Sequence, residues 1–120
     1  MIKILIVEDE VPQQLLYKAE LEDEGYRVET AGTADEARKK ISDFKPDIVI
    51  VDIQIPGQTG LEWMSEVLEN EKIPFIINSA YSHYKDDFSS WAADEYVVKS
   101  SDLTELKEAI RRVIKQHKLK

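Results

Sequence analysis

The chain has 120 residues, a formal net charge of −8 and no cysteine. This composition excludes a disulfide framework and cysteine-based zinc sites, and it argues against direct binding of nucleic acid. No apolar run approaches the roughly 20 residues that span a bilayer, and the first residues do not form a signal peptide. We therefore expect one cytoplasmic domain over residues 1–120 with no membrane partner.

Short apolar runs and amphipathic segments alternate five times along the chain. The apolar runs predict strands at residues 2–7, 26–30, 48–51, 74–78 and 95–98. The segments that follow them predict helices at about residues 12–24, 34–44, 60–68, 81–93 and 103–114. This alternation indicates an α/β fold, a doubly wound (βα)5 three-layer sandwich around a parallel five-stranded sheet.

The first helix has clear start and stop residues. Pro12 suits a first helical turn, and Gly25 suits the residue after the end. Four apolar residues of this helix are expected to contact the core: Leu15, Leu16, Ala19 and Leu21.

Three later helices have N-terminal capping signals. Thr33 with Glu36, and Thr59 with Glu62, have the spacing of capping boxes. Asp102 is the expected cap of the last helix.

Reactive side chains follow four of the predicted strands. They are Glu8 and Asp9 after the first strand, Asp52 after the third, Ser79 after the fourth and Lys99 after the fifth. The carboxyl ends of parallel strands meet at one edge, where open α/β sheets bind ligands. Each residue alone has an ordinary interpretation as a turn residue, a cap or a surface charge. Their combination on one edge favours a functional site.

The chemistry of these side chains indicates a metal and a phosphoryl group. Clustered carboxylates repel each other unless a cation neutralises them, and oxygen ligands suit Mg²⁺. An amine and a hydroxyl opposite the metal can bind phosphoryl oxygens. One carboxylate is then a candidate nucleophile, and its attack on phosphorus gives an acyl phosphate.

Four segments resemble the receiver domains of two-component response regulators: residues 7–10, 52–60, 78–80 and 96–99. The spacing from Asp52 to Pro56 and Gly60, combined with the other three segments, is specific to that family. The resemblance covers the whole chain and implies a flavodoxin-like fold with strand order 2-1-3-4-5.

The resemblance also implies the metal and acceptor residues. Asp52 would be the phosphoacceptor. Asp9 would bind Mg²⁺ directly, and Asp52 would also be a ligand of the ion. Glu8 would assist through water, and Gln54 would contribute its backbone carbonyl.

Further residues would bind and sense the phosphoryl group. Ser79 and Lys99 would hold phosphoryl oxygens, and Ser79 and Tyr96 would form the conformational switch. Gln54 and Tyr81 match positions that tune loss of the phosphoryl group. Neither is a ready general base, so we expect no unusually fast dephosphorylation.

One departure from the family pattern follows the lysine. Ser100 stands where the family usually has proline, often after a cis bond. A cis bond without proline costs about 3–4 kcal/mol, so the bond is either trans or held cis by its surroundings.

The expected function is a phosphorylation-dependent switch of a two-component system or phosphorelay. The chain would accept a phosphoryl group from a sensor histidine kinase or a phosphotransfer protein, and would catalyse only its own phosphorylation and dephosphorylation. Its output partner, which the sequence does not identify, would bind the face made by the fourth helix, fifth strand and fifth helix. Phosphorylation-dependent dimerisation through that face is left open.

Two alternatives remain at this point. A degenerate receiver would be a constitutive docking module, but the complete set of site residues disfavours it. A Mg²⁺-dependent aspartyl-phosphate phosphatase usually carries a second acid two residues after its nucleophile, where this chain has Gln54.

Overall fold

The computed structural model describes residues 1–80 and 92–120. The strands are β1 (Lys3–Val7), β2 (Arg27–Ala31), β3 (Ile48–Val51), β4 (Gln54–Ile55), β5 (Gln58–Thr59), β6 (Phe75–Ser79) and β7 (Glu95–Val98). The helices are α1 (Val11–Asp23), α2 (Ala34–Asp43), α3 (Gly60–Asn70) and α4 (Thr104–His117). Residues 81–91 of the predicted fourth helix, among them Tyr81, lie outside the described residues.

Five strands form one parallel sheet in the order β2-β1-β3-β6-β7. The short strands β4 and β5 form a separate antiparallel hairpin in the loop after β3. When this hairpin is set aside, the order is the predicted 2-1-3-4-5. The doubly wound parallel sheet is therefore confirmed.

Alternate residues of each central strand pack against opposite helix layers. Ile4 and Ile6 of β1 belong to the core that α1 and α4 cover. Leu5 and Val7 belong to the core that α2 and α3 cover. All four residues of β3 are buried, as expected for a parallel strand with helices on both faces. The three-layer arrangement is therefore confirmed.

The capping signals are confirmed for α3 and in part for α2. In α3, Thr59 and Glu62 make both hydrogen bonds of a capping box. In α2, Thr33 Oγ1 accepts from the Glu36 N–H at 3.1 Å, while Glu36 Oε2 accepts from the Gly32 N–H at 3.3 Å. The second half of the α2 box therefore shifts by one residue.

In the described part of the chain, none of the helices has the length and apolar content to cross a bilayer.

Asp102 lies one residue before the N-cap of α4, whereas the sequence predicts it to be the N-cap itself. Leu103 is the N-cap of α4, and Thr104 is the first helical residue. Asp102 Oδ1 still accepts from the Thr104 N–H at 2.9 Å. The aspartate therefore satisfies an unpaired helical N–H from just outside the helix.

The predicted core face of α1 is wrong for three of its four residues. Tyr17 and Leu21, four positions apart, are the buried residues of the helix. Ala19 is exposed, and Leu15 and Leu16 are 63% and 45% exposed. Residues four apart lie on the same helix face, so the stripe through Tyr17 and Leu21 turns Leu15 and Leu16 outward.

A pair of leucine variants tests this orientation. We expect Leu21→Ala to lower the free energy of unfolding by about 2–5 kcal/mol, because it removes a fully buried side chain. Leu16→Ala should change it by no more than about 0.5 kcal/mol. Urea unfolding measures both free energies. Equal decreases for the two variants would show that Leu16 is buried as Leu21 is, which would contradict this orientation of α1.

Candidate functional site

The sheet brings the predicted site residues to one edge. Val7 is in register with Val51, and the Asp52 N–H donates to the Val7 carbonyl at 3.1 Å. On the other side, the Lys99 N–H donates to the Ser79 carbonyl at 2.7 Å. The parallel ladder therefore continues one residue beyond β3 and β7, which fixes Asp52 and Lys99 at the carboxyl edge.

Lys99 bridges two carboxylates at this edge. Its Nζ lies 2.5 Å from Glu8 Oε1 and 2.9 Å from Asp52 Oδ2. The side chains of Glu8, Asp52 and Lys99 are only 2%, 12% and 13% exposed. One ammonium thus joins the ends of β1, β3 and β7 in a largely buried ion-pair network.

Burial and pairing shift the ionisation of this network. Burial raises the pKa of Glu8, and the hydrogen bond and charge of Lys99 oppose that rise. Burial alone would lower the pKa of Lys99, but hydrogen bonds to Glu8 and Asp52 outweigh it, so the lysine pKa is raised. Lys99 therefore remains positively charged at neutral pH.

Every polar group of Glu8 has a hydrogen-bond partner. Its N–H donates to the Ala31 carbonyl at 2.9 Å, and its Oε2 accepts from the Glu10 N–H at 3.1 Å. Its carbonyl accepts from Gln14 Nε2 at 2.5 Å. No sequence pattern predicts these contacts of Glu10 and Gln14 with Glu8, because they exist only after the first turn of α1 folds over the end of β1.

Asp9 and Gln54 lie beside this network on an open groove. Both residues are exposed, and both line a groove of about 490 Å³ beside the β4–β5 hairpin. The Gln54 N–H donates to Asp52 Oδ1 at 3.3 Å, which ties the hairpin to the candidate acceptor. Glu8, Asp9 and Glu10 each have a carboxylate oxygen within 4.8 Å of the others. Such a set of oxygen donors suits Mg²⁺.

Gly60 allows α3 to approach the backbone at the end of β3. A Cβ atom at this position would lie 2.0 Å from the Asp52 carbonyl oxygen. The Gly60 N–H also donates to the Ile53 carbonyl at 2.6 Å. The glycine of the sequence motif is therefore required by close backbone packing behind Asp52.

Ser79 lies at the end of β6, and Tyr96 lies on the neighbouring strand β7. Ser79 is fully buried at the end of β6. Tyr96 is half-buried and packs against the core between the sheet and the α2–α3 layer. Their switching role stays a prediction.

The bond between Lys99 and Ser100 is trans, since no described residue has a cis peptide. Ser100 Oγ accepts from the Asp102 N–H at 3.1 Å and so shapes the turn into α4. Lys99 contacts both carboxylates with this trans bond in place. Replacement of the family's proline by serine therefore does not prevent the lysine from reaching the site.

The sequence model of the response regulator receiver domain matches residues 4–111. The chain belongs to this family. The receiver domain is a module of phosphorylation-dependent two-component signalling and not a classical enzyme.

Two curated relatives of the receiver domain are transcriptional and response regulators. The phosphate regulon transcriptional regulatory protein PhoB of Rhizobium meliloti is 32% identical over 97% of the chain and 53% of its own length. The response regulator ArlR of Staphylococcus saprophyticus is 33% identical over 97% of the chain and 54% of its own length. The chain thus spans about half the length of the curated relatives it matches.

Solved structures give the same fold. The response regulator TrrA of Thermotoga maritima, in complex with Mg²⁺ and BeF, is 47% identical with a TM-score of 0.90, over 94% of this chain and 99% of TrrA. TrrA in complex with the histidine kinase ThkA gives 46% identity and a TM-score of 0.89, over 95% of this chain and 99% of that one. Both structural similarities extend over nearly the whole of this chain.

Removal of the Lys99 charge should produce a pH-dependent loss of stability. We expect Lys99→Met to cost about 3–5 kcal/mol at pH 8, because it leaves the buried Glu8 carboxylate without its cation. Burial raises the pKa of Glu8, so the folded variant binds a proton more tightly than the unfolded chain does. The decrease in the free energy of unfolding should therefore be smallest below about pH 4.3, the ordinary pKa of glutamate. It should grow as the pH rises from there through the raised pKa of Glu8.

Urea unfolding of the wild type and the variant at pH 4, 6 and 8 measures this difference. The double variant Glu8→Gln/Lys99→Met should regain part of the stability at pH 8, because no unpaired charge remains at residue 8. A loss of equal size at every pH would contradict the burial of an ionised Glu8.

Proposed function

We propose that residues 1–120 form one receiver domain that is phosphorylated on Asp52. The bridge from Lys99 to Asp52 and Glu8 carries this proposal, since it places one cation and two acids at the carboxyl edge of the sheet. Because Lys99 contacts both carboxylates, the alternative of a degenerate receiver that acts only as a constitutive docking module is disfavoured.

The proposed metal ligands are carboxylate and carbonyl oxygens, which are the ligand types that suit Mg²⁺. Asp9 and Asp52 would hold the ion directly, Glu8 through water and Gln54 through its backbone carbonyl. When bound, the ion would offset the repulsion between the attacking carboxylate and the phosphoryl oxygens. Support comes from the shared groove of Asp9 and Gln54, and from TrrA, which was solved with Mg²⁺ and BeF.

The phosphoryl transfer forms one bond and breaks another. A carboxylate oxygen of Asp52 attacks the phosphorus of a phosphohistidine, and an O–P bond forms. The P–N bond breaks, and its electron pair stays on the imidazole nitrogen. Lys99 then exchanges its bond to Asp52 for a bond to a phosphoryl oxygen, and the Ser79 hydroxyl binds a second oxygen. The product is an acyl phosphate.

Phosphorylation would be read out through Ser79 and Tyr96. Movement of Ser79 toward the phosphoryl group would let Tyr96 turn inward and reshape the face that includes β7 and α4. That face would bind an unidentified output partner. Gln54 and Tyr81 would control access of the water that hydrolyses the acyl phosphate.

A sensor histidine kinase is the proposed phosphoryl donor, and α1 is the proposed docking helix. Four large hydrophobic residues are exposed in residues 1–80 and 92–120, and three of them lie on α1: Val11, Leu15 and Leu16. This apolar strip starts two residues after Asp9, beside the site. Its position supports docking of an apolar partner surface over the acceptor edge. TrrA, a relative of known structure, forms a complex with a histidine kinase.

Intact mass after incubation with Mg²⁺ and acetyl phosphate tests the acceptor. The wild type should gain the mass of one phosphoryl group, and Asp52→Asn should gain none. Asp35→Asn is a matched control, because Asp35 is an exposed aspartate of α2 and should leave phosphorylation unchanged. Phosphorylation of Asp52→Asn to the wild-type extent would refute the assignment. Catalytic release of phosphate from small phosphoesters would instead indicate a phosphatase.

The docking helix is tested with a histidine kinase that phosphorylates the wild type. Leu15→Ser and Leu16→Ser should each slow transfer from the kinase about tenfold, since truncation of an interface anchor costs over 1 kcal/mol. Their phosphorylation by acetyl phosphate should be unchanged. Lys115→Ser, an exposed change at the far end of α4, is the control. Equal transfer rates for all variants would exclude this surface.

A further inference from the structure

Gln14 holds the turn that carries the acidic residues. Its Nε2 donates to the Glu8 carbonyl at 2.5 Å, and its side chain is partly buried. Its own N–H donates to the Glu10 carbonyl at 3.0 Å, so its backbone is already fixed in the first turn of α1. The amide thus links α1 to the first residue beyond β1.

The loop after β2 packs beside this contact. A Cβ atom at Gly32 would lie 3.4 Å from Gln14 Nε2 and 4.0 Å from the Glu8 carbonyl oxygen. Gly32 is fixed in turn by the bond from its N–H to Glu36. The Gln14 amide therefore packs between the turn after β1 and the turn after β2, which limits the positions that it can adopt.

The Glu8 carbonyl belongs to the peptide unit that leads into Asp9. A peptide unit is planar, so a hydrogen bond to its carbonyl fixes the direction in which the chain enters the next residue. Among the described residues, no hydrogen bond or ion pair holds the Asp9 carboxylate itself. The orientation of Asp9 consequently depends on this peptide plane and on the rigid Glu8 before it.

We propose that Gln14 is a positioning residue for the metal site, which orients Asp9 through the Glu8 carbonyl. This inference rests on the proposed role of Asp9 as a Mg²⁺ ligand. A ligand that is held in place before the metal arrives binds it more tightly than one that must be ordered on binding. Gln14 therefore affects Mg²⁺ affinity without touching the ion or the phosphoryl group.

The test compares Gln14→Met with Gln13→Met. Methionine has nearly the length of glutamine and cannot donate a hydrogen bond. Gln13 is the adjacent glutamine of α1, and it accepts from the Tyr17 hydroxyl at 2.9 Å instead of contacting Glu8. Urea unfolding establishes that both variants are folded before they are compared.

Two measurements report on positioning. In NMR spectra, the Glu8 carbonyl carbon and the Asp9 amide should shift in Gln14→Met and stay near their wild-type positions in Gln13→Met. In phosphorylation by acetyl phosphate, the half-saturating Mg²⁺ concentration should rise about three- to tenfold in Gln14→Met, as expected for the loss of one hydrogen bond. The rate at saturating Mg²⁺ should remain that of the wild type.

Other outcomes overturn the inference. Equal half-saturating Mg²⁺ concentrations for both variants, or a lower saturated rate with unchanged Mg²⁺ dependence, would exclude positioning of Asp9 by Gln14. If the wild type gains no phosphoryl group, the proposed function fails separately. Direct titration of the Asp9 amide signal with Mg²⁺ then still decides the role of Gln14, and identical titrations of both variants would count against it.

Discussion

The ion-pair network of Lys99 with Glu8 and Asp52 is the interaction on which the site depends. Three charged groups with little solvent exposure would each be costly to bury alone. One ammonium between two carboxylates offsets that cost and holds the ends of three strands together. The same contacts place the Asp52 carboxylate, which is the proposed phosphoacceptor, beside the Lys99 ammonium.

This network requires the parallel sheet. Hydrogen bonds from Asp52 to Val7 and from Lys99 to Ser79 extend the ladder past the strands that they follow. Backbone pairing therefore sets the separation of the charged groups, and α1, α3 and the hairpin after β3 complete the surroundings. The peptide bond between Lys99 and Ser100 is trans, and Lys99 contacts both Glu8 and Asp52 with serine in the following position.

Much of the fold follows from sequence patterns. Unbroken apolar runs such as residues 48–51 are strands because they are buried on both faces, and Thr59 with Glu62 begins a helix because the pair satisfies free N–H groups. The buried face of α1 did not follow from its leucines. Composition indicated Leu15 and Leu16, but the rotation that packs Tyr17 and Leu21 against the sheet leaves them at the surface.

The sequence by itself determined the alternation of strands and helices and the presence of acids, a hydroxyl and a lysine after four of the five strands, whereas the strand order followed from the resemblance to receiver domains. The sequence also indicated the family through the spacing of these residues. Only the tertiary structure decided which of these groups touch: Lys99 bridges Glu8 and Asp52, Asp9 faces an open groove with Gln54, and Gln14 reaches the Glu8 carbonyl. Local patterns specify helices and strands, whereas contacts between residues as far apart as 8 and 99 arise only when packing of the helices on the sheet sets side-chain directions.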